Sequence, residues 1–227
     1  MRLFVPTAPL NWHWISLCGP DAHDFLQRLS TVNLKTLALG QGARGCFLDS
    51  LGKMQAFFTL WHYGPDEYAF EFEAGAQNAW RASLLATIDK FTFSEKMTLA
   101  EATPHLESAW LIGEPDAQFW ERLGGPALSA GQTAAFERVV RACHHGSRSF
   151  DEPWITLWGR KGEAAQALQD LILPLEAVSL AELELMRIRA LDPRVGSEIT
   201  PTTLPLDLGL IDAVAVSKGC YPGQEVI

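Results

Sequence analysis

A short apolar strand, a glycine and an amphipathic helix follow one another three times in this chain, and this repetition is the strongest constraint on its fold. Strands are expected at residues 14–17, 109–112 and 154–158, and the helices that follow at 21–29, 116–123 and 163–171. The apolar residues of each helix fall on one face, as Phe25, Leu26 and Leu29 do in the first copy. Each copy therefore predicts a helix that packs on a sheet.

Alternating apolar residues predict further strands, and two more segments have helical spacing. The strands are expected at 45–48, 54–63, 68–73 and 137–143, and the helices at 78–89 and 180–190. Helices that cross one face of antiparallel sheets form an α+β architecture. The predicted fold class is therefore α+β, with two lobes of antiparallel sheet plus helices.

The order of these elements divides the chain into three parts. Residues 1–103 are expected to form a first lobe and 104–179 a second lobe. Residues 180–227 begin with a helix and continue as an extended, proline-rich segment, which is expected to return to the first lobe and pack on it. A chain of 227 residues is long enough for one large domain or two small ones.

Composition excludes several classes of protein. The net charge of −9 argues against a general nucleic-acid surface, which needs clustered Lys and Arg. No apolar run is long enough to span a bilayer, and the first residues lack the apolar region and cleavage site of a signal peptide. We therefore expect a cytoplasmic protein whose partners include neither nucleic acid nor a membrane.

The four cysteines, Cys18, Cys46, Cys143 and Cys220, include no Cys-x-x-Cys pair. This spacing predicts neither a disulfide framework nor a zinc knuckle, and it does not supply the four thiolates of an iron–sulfur site. His144 and His145 follow Cys143, but neighbouring side chains of a strand point to opposite faces. No metal site is predicted.

The most informative short segment is 218–225, Lys-Gly-Cys-Tyr-Pro-Gly-Gln-Glu. Pro222 and Gly223 suit the central positions of a type II turn, and glycines allow backbone angles that other residues avoid. The expected result is a tight loop that exposes Cys220 two residues from the ammonium group of Lys218. A nearby cation favours the thiolate, which is the reactive form of cysteine.

This segment resembles the signature of the YgfZ family, folate-binding-type proteins linked to iron–sulfur cluster assembly and repair. The family pattern is Lys-Gly-Cys-Tyr, a variable residue, then Gly-Gln-Glu, and 218–225 matches all seven fixed positions. The resemblance implies that Cys220 is the working thiol and Lys218 its cationic neighbour. It also implies that Tyr221, Gln224 and Glu225 belong to a folate-type site, where Gln224 and Glu225 brace the loop through its backbone N–H groups.

The likeness covers most of the chain, weakly up to residue 180 and strongly after it. Residues 25–33, 46–53, 186–190 and 204–207 are similar to further family segments, with Asn33 where Asp is usual and Lys53 where Arg is usual. YgfZ proteins are related to the glycine-cleavage T-protein, and both families have two tandem lobes around a folate-sized hole. The family usually continues into a C-terminal β-barrel, which is expected to be absent here because the chain stops at Ile227.

The resemblance implies tetrahydrofolate as cofactor, with Arg187 as a cation of its groove. Relatives place a glutamate against the pterin ring at the position of Arg189. A carboxylate matches the adjacent N–H donors of a pterin, whereas arginine carries donors only. Folate is therefore expected to bind weakly or in an altered pose. Two alternatives remain: Glu184 or Glu198 contacts the ring instead, or Arg189 binds a tail carboxylate of folate.

Three functions are compatible with these features. The first is a YgfZ-like accessory protein whose partners are a folate-type small molecule and iron–sulfur assembly or client proteins. The second is a tetrahydrofolate-dependent aminomethyltransferase like the T-protein, which is disfavoured because alignment places Ala56 and Phe57 at its paired acids, and Asp49 is a poor substitute. The third is a non-catalytic interaction module with a folate pocket. A reactive Cys220 would distinguish the first from the third.

Overall fold

The computed structural model describes residues 1–4, 11–147, 149–163, 166–167 and 175–227. These ranges contain eleven strands and four α-helices. The strands are β1 Arg2–Phe4, β2 Trp12–Cys18, β3 Gln41–Leu48, β4 Met54–Gly64, β5 Glu67–Glu73, β6 Thr98–Glu101, β7 Leu106–Ile112, β8 Thr133–Ala134, β9 Arg141–Gly146, β10 Trp154–Arg160 and β11 Glu176–Ala177. The helices are α1 Ala22–Leu29, α2 Ala79–Phe91, α3 Ala117–Leu123 and α4 Leu180–Arg189, and short 3-10 helices lie at Leu34–Thr36, Ala76–Asn78, Leu206–Leu208, Ile211–Ala213 and Gln224–Val226.

The strands form two sheets. One has five strands in the order β3-β4-β5-β2-β6, and its neighbours are all antiparallel. The other has six strands in the order β11-β1-β7-β10-β9-β8, antiparallel except for the parallel pair β1 and β11. The predicted α+β class is confirmed.

The chain divides into two compact units, each with one sheet. The five-stranded unit comprises Ala8–Ala102 and Pro193–Ile227, and the six-stranded unit comprises Met1–Thr7 and Thr103–Asp192. The units thus group β1 and α4 with the segment after residue 103. The domain boundaries expected from the sequence, at 103 and 179, stay a prediction.

In the five-stranded unit, α1 and α2 pack on one face of the sheet. Phe25, Leu26 and Leu29 are buried there, as the helical spacing predicted. Three strand residues, Phe47, Phe58 and Phe70, pack edge to face with ring centroids 4.9 to 5.6 Å apart. Alternate residues of β3, β4 and β5 therefore supply one side of this core.

A second core in the same unit forms where the end of the chain packs on β3 and β4. It joins Cys46, Leu48, Met54 and Trp80 to residues that follow 193, namely Val195, Ile199, Leu210, Ala213 and Tyr221. The terminal motif is thus attached to a hairpin that lies far from it in sequence.

In the six-stranded unit, α3 buries Phe119, Trp120 and Leu123, as its spacing predicted. Asp116 caps this helix, because its side chain accepts a hydrogen bond from the backbone N–H of Phe119. The strand predicted at 137–143 is shifted to Arg141–Gly146. The cause of the shift is tertiary: the N–H groups of Glu137 and Arg138 donate hydrogen bonds to the carbonyls of Gly124 and Leu123 at the C-terminus of α3.

Two further expectations fall in this unit. The helix predicted at 163–171 lies largely outside the described residues. His144 is buried on β9, whereas His145 stacks on Trp154 with ring centroids 3.8 Å apart and contacts Thr156. Within the described part of the chain, no group of three or more His, Cys, Asp or Glu could hold a metal ion. None of the helices described is long and apolar enough to cross a bilayer.

Candidate functional site

The terminal motif folds as the predicted type II turn. Gly223 has φ +80° and ψ −1°, the angles of the third residue of such a turn. The N–H of Gln224 closes the turn on the carbonyl of Tyr221 at 3.3 Å. Glycine is needed at this position, because residues with a side chain rarely adopt a positive φ.

A second glycine turn lies against the first. Gly52 has φ +74°, and the Asp49 side chain organises its turn by accepting hydrogen bonds from the N–H groups of Leu51 at 2.8 Å and Lys53 at 2.9 Å. A Cβ atom on Gly223 would lie 2.4 Å from the carbonyl oxygen of Asp49 and 2.9 Å from the Cα of Gly52. The two turns therefore pack backbone to backbone.

Lys218 anchors the start of the motif in the interior. Only 8% of the residue is exposed, and its Nζ donates hydrogen bonds to the carbonyls of Ser30 and Val32, both at 2.6 Å. The same ammonium lies 5.3 Å from the centre of the Tyr221 ring. Burial lowers the pKa of Lys218 from its ordinary 10.5 to about 8.

The segment that receives Lys218 is itself held firmly. The Thr31 hydroxyl accepts a hydrogen bond from the N–H of Cys46 at 2.8 Å and donates one to the carbonyl of Ala213 at 2.5 Å. The N–H of Ala215 bonds to the carbonyl of Thr31 at 3.0 Å. Three parts of the chain that are distant in sequence thus meet at Thr31.

Cys220 is exposed, whereas the other thiols are shielded to different degrees. Cys46 and Cys143 are fully buried, and burial raises the pKa of Cys46 to about 12. Cys18 is half-buried, with its sulfur 3.5 Å from the Tyr63 hydroxyl. Apart from its chain neighbours, an added Cβ on Gly219 would meet no atom within 4 Å, so the space beside this glycine is open.

The remaining motif residues occupy different surroundings. Tyr221 is buried in the second core, and this burial raises the pKa of its hydroxyl. Gln224 is half-buried and Glu225 exposed, and both lie in the 3-10 helix Gln224–Val226. The backbone N–H of Val226 donates a hydrogen bond to the carbonyl of Gly223 at 3.1 Å, so main-chain atoms close this turn. A cofactor-binding role for Tyr221, Gln224 and Glu225 stays a prediction.

Arg187 and Arg189 belong to α4 of the six-stranded unit. Arg187 pairs with Glu184 at 2.9 Å and donates to the carbonyl of Asp192 at 2.8 Å, while Arg189 is exposed. Glu198, in the five-stranded unit, accepts a hydrogen bond from the N–H of Arg194 at 2.9 Å. Glu184 and Glu198, the two glutamates considered as alternative contacts to the pterin ring, therefore each already bind a group of the protein.

The positions aligned with the paired acids of the T-protein carry no charge. Ala56 is buried in the first core, and the Phe57 ring lies under the Arg44 guanidinium at 4.9 Å. Asp49 is the nearest acid along the chain, and its side chain accepts the turn hydrogen bonds described above. At the two positions expected from the sequence to correspond to those acids, the hairpin therefore carries apolar side chains.

Sequence reasoning missed a cavity of about 320 Å³ in the five-stranded unit. It is bounded by the loop after α1, by the start of β3 and by residues 212–215. Arg44 and Asp212 face each other there, with Nη1 and Oδ2 3.7 Å apart. No sequence motif links the two residues, because they meet only when the end of the chain returns to β3.

Known proteins resemble the chain along nearly its whole length. The tRNA-modifying protein YgfZ of Aliivibrio fischeri is 24% identical over 224 residues, which cover 96% of this chain and 64% of that protein. An aminomethyltransferase of Herpetosiphon aurantiacus is 26% identical, with 94% of this chain and 59% of that protein covered. No protein-family model matches the chain.

A solved structure shows the same fold. Aminomethyltransferase T of the glycine cleavage system from Bartonella henselae superimposes with a TM-score of 0.81 at 21% identity, covering 99% of this chain and 61% of that one. The predicted α+β class, its likeness to the T-protein fold and the resemblance to YgfZ proteins are thereby confirmed. The chain spans less than two thirds of the length of these relatives.

Proposed function

We propose that this chain is a YgfZ-like accessory protein that supports the assembly or repair of iron–sulfur clusters, with Cys220 as its working thiol. The observation that carries the proposal is the asymmetry of the motif. Cys220 is exposed, while Lys218, two residues before it, and Tyr221, directly after it, are buried, and Lys218 is hydrogen-bonded in the interior. A thiol that adds nothing to the core, on a loop fixed at both ends, suits contact with a partner.

The role we propose for the thiolate is transient ligation of iron. Iron–sulfur clusters are usually held by about four thiolates. The structure describes all four cysteines and Cys220 is the exposed one among them, so it would hold iron only together with ligands from another protein. A single thiolate ligand fits a protein that delivers or repairs a cluster better than one that binds a cluster permanently.

The similar proteins named for tRNA modification suggest where this activity is needed. With a net charge of −9, the chain is a poor candidate for binding tRNA directly, since phosphate contacts require clustered Lys and Arg. An indirect contribution, through support of an iron–sulfur enzyme that modifies tRNA, agrees better with this charge. We propose no direct RNA contact.

A tetrahydrofolate-type ligand is the second part of the proposal, and Arg189 stands at the position where the family resemblance expects a contact to the pterin ring. Arg189 is expected to weaken binding, because unpaired donors of a buried pterin cost about 1–3 kcal/mol each. Calorimetric titration with folinic acid tests this expectation. Binding should be tighter to Arg189→Glu than to the wild type by a factor of about ten or more. Equal or weaker binding would show that Arg189 does not face the pterin.

Because one of the similar proteins is an aminomethyltransferase, aminomethyl transfer is the alternative function to consider. The T-protein reaction needs a carboxylate near the reacting folate nitrogen, and preorganised groups of this kind contribute roughly 10²–10³ in rate each. Ala56 and Phe57 supply none, and Asp49 is engaged in its turn. We therefore expect no measurable aminomethyl transfer from a lipoyl carrier protein to tetrahydrofolate.

Complementation tests the proposal. Expression of this chain in a bacterium that lacks its own YgfZ should restore the activity of iron–sulfur enzymes. Cys220→Ala should abolish the rescue while leaving the melting temperature nearly unchanged, because an exposed thiol contributes little packing. Cys18→Ala is the matched control and should still rescue. Full rescue by Cys220→Ala would contradict the role of this thiol, and would favour a non-catalytic interaction module.

A further inference from the structure

His13 is a buried histidine whose ring nitrogens have no hydrogen-bond partner among the described residues. Only 7% of the residue is exposed. It lies on the same face of β2 as Ile15 and Leu17, so it points into the first core, and its ring packs on Phe72 with centroids 5.8 Å apart. Because buried polar groups nearly always have a partner, this histidine is a candidate for a functional role.

The packed structure requires the imidazole of His13 to be uncharged. Burial is the main cause that lowers its pKa below the ordinary 6.5, and the Arg81 guanidinium adds to this effect, whereas Glu101 and the Asn78 amide oppose it. A protonated ring would carry two N–H donors into this site. The acceptors that face it are already engaged: Glu101 accepts hydrogen bonds from Arg81 at 2.8 and 2.5 Å, and the Asn78 amide oxygen accepts one from Asn11.

The start of α2, which lies against His13, is weakly capped and strained. The N-cap residue Asn78 has φ +58°, and its side chain makes no capping hydrogen bond. Gln77 also has a positive φ, +53°, which residues with a side chain rarely adopt. The first turn of α2 includes Trp80, which is buried in the second core together with Tyr221. An opening of this turn therefore reaches the core that holds the terminal motif.

We propose that His13 is a pH-sensitive switch for the position of α2. At neutral pH the uncharged imidazole lets the first turn of α2 pack on β2. In mildly acidic solution His13 takes up a proton. Because the charged ring is repelled by Arg81 and finds the facing acceptors engaged, it reaches water only when that turn moves away from the sheet. The switch requires neither folate nor the thiol, so it does not rest on the proposed function.

Hydrogen exchange of the wild-type protein at pH 7.5 and at pH 5, corrected for the chemical exchange rate at each pH, measures the opening of each segment. Backbone amides of residues 78–84 should lose protection at pH 5. A histidine with the ordinary pKa of 6.5 is protonated about 30 to 1 at pH 5, so opening should increase by between about threefold and about 30-fold. Unchanged protection of this segment at pH 5 would overturn the proposal.

Substitutions at His13 test whether this residue is the group that titrates. His13→Leu, which fills a similar volume, should give residues 78–84 the same protection at both pH values, and His13→Gln should do so if the leucine variant does not fold. His105→Gln is the matched control, since it removes an exposed histidine and should keep the pH response of the wild type. A response that persists in the folded His13 variant, or that is lost in His105→Gln, would contradict the proposal. A loss of protection spread evenly over the five-stranded unit would contradict it as well.

Discussion

Lys218 and Cys220 are two positions apart in the sequence, but their side chains have different surroundings. The ammonium group is buried on the carbonyls of Ser30 and Val32, while the thiol is exposed. The sequence predicted a tight loop with an outward cysteine, and the structure agrees. It also predicted a cation beside the thiol. The hydrogen bonds described for Lys218 instead join its ammonium group to buried backbone carbonyls and so anchor the motif in the protein interior. Its acceptors lie nearly the whole chain away, so no local pattern could reveal them.

Replacing Lys218 by Met should destabilise the protein by about 1–3 kcal/mol, because two buried carbonyls lose their donor. The loss should depend on pH. The pKa of Lys218 is about 8 in the folded protein and about 10.5 in the unfolded chain, so between these values the unfolded chain binds a proton that the folded protein has released. The contribution of this group is therefore fully present above pH 10.5 and is lost as pH falls through 8.

Denaturant unfolding at several pH values from 7 to 10 checks this. The gap in unfolding free energy between wild type and Lys218→Met should widen as pH rises. Lys96→Met removes an exposed lysine and serves as the control, with little effect at any pH. A gap that stays constant with pH would mean that Lys218 titrates alike in both states.

At the scale of elements, local spacing predicted most of the fold. The helices α1, α2 and α3 and most strands lie where apolar periodicity placed them, because the burial of each element depends on its own side chains. The predicted strand at 137–143 was misplaced because the backbone of Glu137 and Arg138 bonds to the end of α3. Tertiary hydrogen bonds of this kind leave no periodic pattern. The type II turn was predictable, since proline and glycine specify it locally.

The contact between the two glycine turns leads to a prediction with a built-in control. Gly223→Ala should destabilise the protein by more than Gly209→Ala. Both glycines have positive φ, +80° and +68°, which costs an alanine roughly 1–2 kcal/mol. At Gly223 the new methyl group would also collide with the backbone of Asp49 and Gly52, whereas at Gly209 it would meet no atom within 4 Å.

Chemical denaturation of the two variants measures the difference directly. The excess loss in Gly223→Ala isolates the packing of one turn on the other, because the cost of the backbone angle is shared. Equal losses in both variants would mean that the turns do not hold each other in solution.

On the scale of the whole molecule, the candidate site is assembled from segments that are far apart in the chain. Within the five-stranded unit, the loop after α1, the turn at Asp49 and the terminal motif meet through hydrogen bonds and close backbone contact. The motif itself was evident from the sequence. Its supports, and the pairing of Arg44 with Asp212, were not, since such contacts depend on the return of the chain after residue 193.

The central claim, that the motif presents Cys220 while the fold shields the other thiols, is tested most directly by alkylation of the folded protein. Iodoacetamide at neutral pH, followed by mapping of the modified peptides over time, gives a rate for each cysteine. We expect Cys220 to react first, half-buried Cys18 more slowly, and buried Cys46 and Cys143 only after denaturation. If Cys220 reacts last, or no faster than Cys46, the account of the motif is wrong.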